Sequence, residues 1–341
     1  MEFVYATYGL PFDDATVDNK SLGGSETAVA CTARELATLG HKVRVFCQPT
    51  KEKTSGHGVE YHDIAELTKF LAYRRDNENP FDVFIGSRFP EVWRELVPAR
   101  LKIHWCHDML DERGNIDAPL LQCDKIVVLS EFQKREYLKI CPDIEPMIWV
   151  MRNGVDSSLI QSIPDCERIP GRFIYTSRPE RGLHHLLSVL WPKILESCPQ
   201  AVLNVVSYDT STLSPNPAIA AVQAQCRSVA DATESVNWLR PMRKRDLYQL
   251  MKSSCAWLYP TTFPEISCIS AMEAQACGLP VIATATAALV ETIDPEVFGN
   301  FLIVGKPGEK EHDEKFVHQA VSEADRGMLR TCGIGAILHH G

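Results

Sequence analysis

Two glutamates with seven residues between them, Glu265 and Glu273, stand in the stretch FPEISCISAMEAQACGLPVIAT, Phe263 to Thr284. Gly278 and Pro280 stop the helix that carries Glu273, and Val281-Ile282-Ala283 reads as the next buried strand. Glu265 then falls in the loop entering that helix, and Glu273 about two turns inside it. A helix start offers unpaired N–H groups and the positive end of the helix dipole to an anion, a phosphate above all. Carboxylates do not suit the phosphate itself, but they accept bonds from the hydroxyls of sugars on either side of it. The pattern points to a sugar-nucleotide site. On these residues alone, a solvated Glu265 and a Glu273 on the outer helix face stand as the alternative.

Two further segments bear on that choice. FIYTSRPERGLHHLL, Phe173 to Leu187, reads as an apolar strand, a short loop and an amphipathic helix. Arg178 and Arg181 bracket the loop at the carboxyl end of the strand, where open α/β sheets bind ligands. Two guanidiniums there suit a diphosphate through forked hydrogen bonds, and the alternative is a surface loop whose arginines pair with Glu180 or with solvent. SLGGSETAVACTARELATLGHKVRVFC, Ser21 to Cys47, places Gly23 and Gly24 before a helix with Ala28, Val29, Leu36 and Leu39 at helical spacing. Gly40 ends that helix, and a strand follows. A glycine pair before a helix permits close approach to the backbone, although many strand-to-helix turns contain glycine.

Together and in this order, the segments resemble glycosyltransferase family 4, retaining enzymes of the GT-B fold. The matching features are GGSE, HWCHD (His104 to Asp108), NGVD (Asn153 to Asp156), SRPERG, and the two-glutamate segment running into GLPVIAT. The resemblance covers roughly residues 1 to 300 and is specific for the fold and for retaining sugar transfer, not for donor or acceptor. It implies two Rossmann-like parallel-sheet domains facing across a cleft, with a nucleotide-diphosphate sugar as donor and a glycan, lipid-linked or protein acceptor. Residue by residue, it implies Arg178 and Arg181 on the diphosphate, with Gly24 approaching it through the backbone. It implies Glu273 on the ribose, Glu265 on the transferred sugar, and the backbone around Ile266, Ser267 and Cys268 holding sugar and phosphate. The base is gripped near Leu239, Arg240 and Met242. His107 lies beside the transferred sugar, stabilising the oxocarbenium-like state, and the leaving phosphate itself takes the proton of the acceptor.

No D-x-D occurs in the chain, so two arginines, a helix start and a glycine loop are expected to supply the positive potential without a metal or other cofactor. His104 and His107 diverge at a strand end, and His184 and His185 point to different faces of a helix, so neither pair reads as a zinc site. A nicotinamide-dependent oxidoreductase is disfavoured because no G-x-G-x-x-G follows the first strand. A sugar-nucleotide epimerase and a non-catalytic sugar-nucleotide-binding protein remain as alternatives.

The elements that must position these residues alternate, strand and helix, along the 341 residues, long enough for two domains with full cores. Strands are expected near Phe3–Thr7, Lys42–Cys47, Val83–Ile85, Lys102–Trp105, Lys125–Leu129 and Met147–Met151, then near Arg172–Thr176, Ala201–Val206, Val236–Leu239, Ala256–Tyr259 and Val281–Ala283. A helix opens at Ser130 with Gln133 three residues on, a capping box, and the clearest helix of the second half spans Gly182–Cys198. The aperiodic stretch 161–171 reads as a linker between a first domain over 1–160 and a second over 172–341. After Glu291, no equivalent is legible of the C-terminal helix that such enzymes return to their first domain, and GIGAILHHG makes an atypical or truncated end.

A net charge of −9 argues against nucleic-acid binding. It leaves open a peripheral membrane contact through a local cluster such as Lys134-Arg135. The 12 cysteines lie mostly in apolar segments without C-x-x-C spacing, which fits reduced thiols in the cytoplasm. No signal peptide or membrane-length apolar run is expected, and the sequon Asn19-Lys20-Ser21 reads as chance.

Overall fold

Short apolar runs buried on both faces, such as Val83-Phe84-Ile85-Gly86 and Ala256-Trp257-Leu258-Tyr259, form the centres of two all-parallel sheets. The computed structural model describes the chain except for residues 20–21, 49, 51–55, 112–113, 208–215, 298 and 327–341. Lys20 and Ser21 of the sequon, and the GIGAILHHG terminus, lie outside the described residues. By their contacts the residues fall into two units, Met1–Gly154 and Val155–Gly341.

The first unit holds β1 (Glu2–Thr7), β2 (Lys42–Cys47), β3 (Val59–Asp63), β4 (Phe81–Ser87), β5 (Ala99–Trp105), β6 (Lys125–Val128) and β7 (Ile148–Val150). Their order is β3-β2-β1-β4-β5-β6-β7. The second unit holds β8 (Arg172–Thr176), β9 (Val202–Val206), β10 (Val236–Leu239), β11 (Ala256–Tyr259), β12 (Val281–Thr284) and β13 (Asn300–Ile303), ordered β10-β9-β8-β11-β12-β13. Each sheet reverses its winding once, between β1 and β4 in the first and between β8 and β11 in the second. A doubly wound sheet opens its ligand crevice at that reversal, outside the carboxyl ends of the strands.

Two strands and one helix escape the sequence reading. Val59-Glu60-Tyr61-His62-Asp63 is an edge strand with one buried residue, and Asn300 opens β13 with a polar side chain bonded to Gln275 and to the Asp294 carbonyl. The first shows no apolar run, and the second only the three residues Phe301-Leu302-Ile303 behind its polar start. The helix Lys310–Arg326 begins with charged residues, and its buried side mixes Phe316, Ala320 and Ala324 with the polar His312, Asp313 and Glu323, so no apolar stripe marks it.

The expected Gly182–Cys198 helix is present but not regular: Leu183–His185 and Trp191–Ser197 are α-helical, and Leu186–Leu190 between them is a π turn. Pro192 accounts for it, because it lacks an N–H and its ring crowds the carbonyl of Ser188. Half of the Ser130 capping box forms as expected, with Ser130 Oγ accepting from the Gln133 N–H at 3.1 Å, while the return bond goes to the residue before the cap. Gln133 Oε1 reaches back to the Leu129 N–H at 2.7 Å. Leu39 is not on the apolar face of its helix; it caps the C-terminus and is exposed, while Val29, Ala30 and Ala33 are buried.

The stretch 161–171 is tied to the second unit. Lys252, almost wholly buried, donates to the Ile163 carbonyl at 2.6 Å and to Asp165 at 3.0 Å, and Arg168 donates to the Gly278 carbonyl.

In the first unit, His104 on β5 is buried, and its Nδ1 accepts from Trp93 Nε1 at 3.1 Å. Burial pushes its pKa down to about 4, against a bond to the Gly86 backbone that favours the charged form. The folded chain therefore holds it neutral while the unfolded chain, near pH 6.5, takes up a proton. Stability from this group is complete above about pH 6.5 and is lost as pH falls from there to about 4, amounting to about 3 kcal/mol. Urea unfolding of wild type should lose stability through this window faster than His104→Gln does. Parallel pH curves for the two proteins would contradict the assignment.

Candidate functional site

The loops that follow β8 and β11, the strands flanking the reversal of the second sheet, supply both arginines and Glu265. Tyr175, near the end of β8 and fully buried, directs its hydroxyl at two carbonyls of the arginine loop, Arg178 O at 2.8 Å and Arg181 O at 3.2 Å. The loop closes on Gly182, whose φ is +96°. A Cβ there would lie 2.1 Å from the Pro260 carbonyl oxygen, so the two loops touch where only glycine fits.

Arg181 and Glu265, placed on different ligand groups by the sequence reading, are joined: Arg181 Nη1 donates to Glu265 Oε1 at 2.9 Å. The guanidinium carbon of Arg181 lies 3.9 Å from the Phe263 ring centroid, a close cation–π contact. Tyr259, at the end of β11, donates to the same Glu265 oxygen and lies 3.2 Å from Ser177 Oγ. Burial and the neighbouring Glu265 push the Tyr259 phenol well up, so it remains a hydrogen-bond donor. Glu265 is thus buried and held, not solvated. Arg178 pairs through Nε with Glu180 Oε1 at 2.5 Å, the partner that the sequence offered as the alternative for this loop.

The helix after this loop runs Ile269–Ala276, with Cys268 at its N-cap and Gly278 (φ +66°) just past its end. Ser267 and Cys268 are buried and Ile266 half-buried at the helix start, where the first backbone N–H groups have no intrahelical acceptor. Glu273 is its fifth residue, about one turn inside rather than two. It faces inward: Glu273 Oε1 accepts from Lys244 Nζ at 2.5 Å and from Tyr248 Oη at 2.9 Å, and the side chain is 2% exposed. Lys244 opens the helix Lys244–Lys252, which follows Leu239, Arg240 and Met242 after β10. Arg240 is exposed, and Met242 packs on the core.

In the first unit, Gly24 is the first residue of the helix Gly24–Thr38. The need for glycine next to it has an internal cause. Glu26, almost wholly buried, accepts from the Leu10 N–H at 3.0 Å, and a Cβ on Gly23 or Gly9 would come within 2.3 Å or 2.2 Å of its carboxylate. His107 follows β5, its ring centroid 4.5 Å from that of Trp105. Burial, then the charge of Arg88 and the nearby His104, pushes its pKa down to about 3, so the ring is neutral near pH 7. Its Nε2 is covered and has no hydrogen-bond partner among the described residues. Arg88, in left-handed backbone at the end of β4, pairs with Asp108 at 2.5 Å, beside His107.

Tyr175, Tyr259, Lys244 and Tyr248 are the residues that the sequence reading missed. The two strand tyrosines carried a signal, since Tyr259 ends and Tyr175 nearly ends a strand beside the reversal. Lys244 and Tyr248 carried none beyond their four-residue spacing. Among the described residues, no group of three or more His, Cys, Asp or Glu side chains is placed to hold a metal ion, and no helix is long and apolar enough to cross a membrane.

Residues 169–320 match the family model described as glycosyl transferases group 1. No curated protein matches the chain in sequence. Among solved structures, the chain is similar to sucrose-phosphate synthase from Thermosynechococcus elongatus, at 15% identity and TM-score 0.63, covering 96% of this chain and 95% of that one. It is similar to Anabaena HepE in complex with UDP and glucose, at 15% identity and TM-score 0.65, covering 95% and 93%. It is also similar to the catalytic domain of starch synthase IV from Arabidopsis thaliana bound to ADP and acarbose, at 11% identity and TM-score 0.66, covering 97% and 96%. These likenesses establish the GT-B fold, whose two parallel Rossmann-like sheets have seven and six strands among the described residues.

Proposed function

The stretch 169–320 belongs to the glycosyl transferases group 1 family, and on that premise we propose that the chain is a retaining hexosyltransferase using a nucleotide-diphosphate sugar. The observation that carries the reading is the Arg181–Glu265 pair at the reversal of the second sheet. It sets a fixed cation and a fixed hydroxyl acceptor side by side, as a diphosphate joined to a sugar requires. Solved relatives in this fold hold UDP with glucose, or ADP with acarbose, which supports a nucleotide ligand of this class.

Arg178 and Arg181 take the diphosphate, helped by the start of the Ile269–Ala276 helix around Ile266, Ser267 and Cys268. Glu265 takes hydroxyls of the transferred sugar, Glu273 those of the ribose, and Leu239, Arg240 and Met242 border the base. Gly24 and His107 carry the share of the first unit: close backbone approach at Gly24, and stabilisation of the transferred sugar at His107. In the reaction the bond from the anomeric carbon to the diphosphate oxygen breaks as a bond to the acceptor oxygen forms on the same face. The acceptor proton passes to the departing diphosphate. Charge grows on that diphosphate, and fixed cations aimed at it lower the barrier. The acceptor is a glycan, a lipid-linked sugar or a protein.

Incubation with a panel of nucleotide-diphosphate sugars and acceptors tests this, with and without excess EDTA. Acceptor-dependent release of nucleoside diphosphate, nearly unchanged by EDTA, is expected. Loss of activity in EDTA with rescue by manganese or magnesium would overturn the metal-free mechanism. Tight donor binding with no transfer would instead make the chain a binding protein, and acceptor-independent change of the donor sugar an epimerase.

A further inference from the structure

Both hydrogen bonds to the Glu273 carboxylate fall on one oxygen. Lys244 Nζ, at 2.5 Å, and Tyr248 Oη, at 2.9 Å, converge on Oε1, and Oε2 makes no hydrogen bond among the described residues. The two donors stand one helical turn apart in Lys244–Lys252, on the face turned to the Ile269–Ala276 helix. Tyr248 and Glu273 are each 2% exposed, so their bond is sheltered from water, while the Lys244 side chain keeps 21% of its surface exposed. A carboxylate bonded at one oxygen by an ammonium and a phenol cannot rotate without breaking both contacts. Burial and the Glu273 carboxylate itself raise the Tyr248 phenol far above its ordinary range, which keeps its proton on the oxygen as a donor.

Given the ribose role proposed for Glu273, we infer that Tyr248 and Lys244 are its positioning residues: they occupy Oε1 and thereby present Oε2 to the ribose 2′- and 3′-hydroxyls. A free carboxylate would have to be fixed when the nucleotide arrives, and that ordering weakens binding. Here the ordering is completed by folding. Lys244 also begins its helix directly after the loop assigned to the base, so the residues that fix the ribose acceptor and those that border the base share one element.

The test is calorimetric titration of UDP and ADP, each beside its 2′-deoxy and 3′-deoxy counterpart, into wild type, Tyr248→Phe and Lys244→Gln, with thermal unfolding recorded for each protein. Tyr248→Phe removes one donor without leaving another unpaired, and it keeps the packing. Wild type should bind the preferred ribonucleotide at least about tenfold tighter than its deoxy forms, as expected for hydroxyls bonded to a carboxylate. In Tyr248→Phe that preference should shrink by about three- to tenfold, with affinity for the deoxy forms unchanged within about twofold. Lys244→Gln should behave alike. Folded variants that keep the full ribose preference would overturn the positioning role while leaving Glu273 on the ribose. Equal weakening toward ribo and deoxy forms would show a structural contact only, and would overturn it too. A wild type that does not tell ribose from deoxyribose would overturn the ribose reading itself.

Discussion

Replacing Arg181 with alanine is expected to lower kcat by about 10²–10³ while donor affinity falls by less, the range seen when one preorganised charge stabiliser is lost. The asymmetry follows from where the charge develops. A diphosphate bound in the ground state already carries negative charge, but it gains more as the bond to the sugar breaks, so a cation beside it gains interaction energy along the reaction. Arg181 is held from several sides: its carbonyl by Tyr175, its guanidinium on Glu265 Oε1 and against the Phe263 ring. Removing it also leaves the Glu265 carboxylate with the Tyr259 hydroxyl as its remaining side-chain donor among the described residues, which loosens the group assigned to the sugar. Lysine at 181 should restore part of the turnover, because it keeps the charge but loses the planar fork. Turnover with a competent acceptor, beside direct donor binding, checks this. Equal losses in both would reduce Arg181 to a ground-state contact.

Gly182→Ala should destabilise the second unit by at least about 3 kcal/mol, and no nucleotide need be present to see it. Two effects add at this position. The backbone sits at φ +96°, which an L side chain adopts only under strain, and the new Cβ would meet the Pro260 carbonyl oxygen at 2.1 Å. The neighbouring atoms are backbone, so no side chain can swing aside. Gly308→Ala is the matched control: its φ is +98°, but a Cβ there meets nothing within 4 Å. It should show only the backbone term, roughly 1–2 kcal/mol. Thermal unfolding separates the two, with Gly182→Ala lowering Tm by about 6–12 °C. Equal losses at both positions would show that the loops can move apart, and that their contact does not fix the arginines.

The strands at the centre of each sheet were legible because burial on both faces demands apolar runs, as in Ala256–Tyr259. Two edge strands were not: Val59–Asp63 is mostly polar, and Asn300–Ile303 offers only three apolar residues behind Asn300, whereas the edge strands Ile148–Val150 and Val236–Leu239 were read. In the candidate site, residue types and chain order drew attention to Arg178, Arg181, Glu265 and Glu273, but not to their pairing. Nothing in the spacing says that Arg181 reaches Glu265, 84 residues away, because that contact depends on β8 and β11 lying side by side. Lys244 and Tyr248 were hidden for the same reason. They reach Glu273 only once two helices pack, and a lysine at a helix start reads as a solvated charge until its partner is seen. Gly23 was misleading in the other direction. A glycine beside a helix start suggests room for a ligand, yet at this residue the room is filled by Glu26.

Sugar transfer with retention at a site built on the second sheet is tested most directly by proton NMR of the anomeric centre during turnover. The donor is a nucleotide-diphosphate sugar that the wild type binds, and the acceptor one that supports release of nucleoside diphosphate. The donor signal should decay only when acceptor is present, and the first-formed product should carry the anomeric configuration of the donor, with Arg181→Ala slowing both together. A product of opposite configuration, or donor consumption that Arg181→Ala leaves unchanged, would contradict retaining transfer at this site.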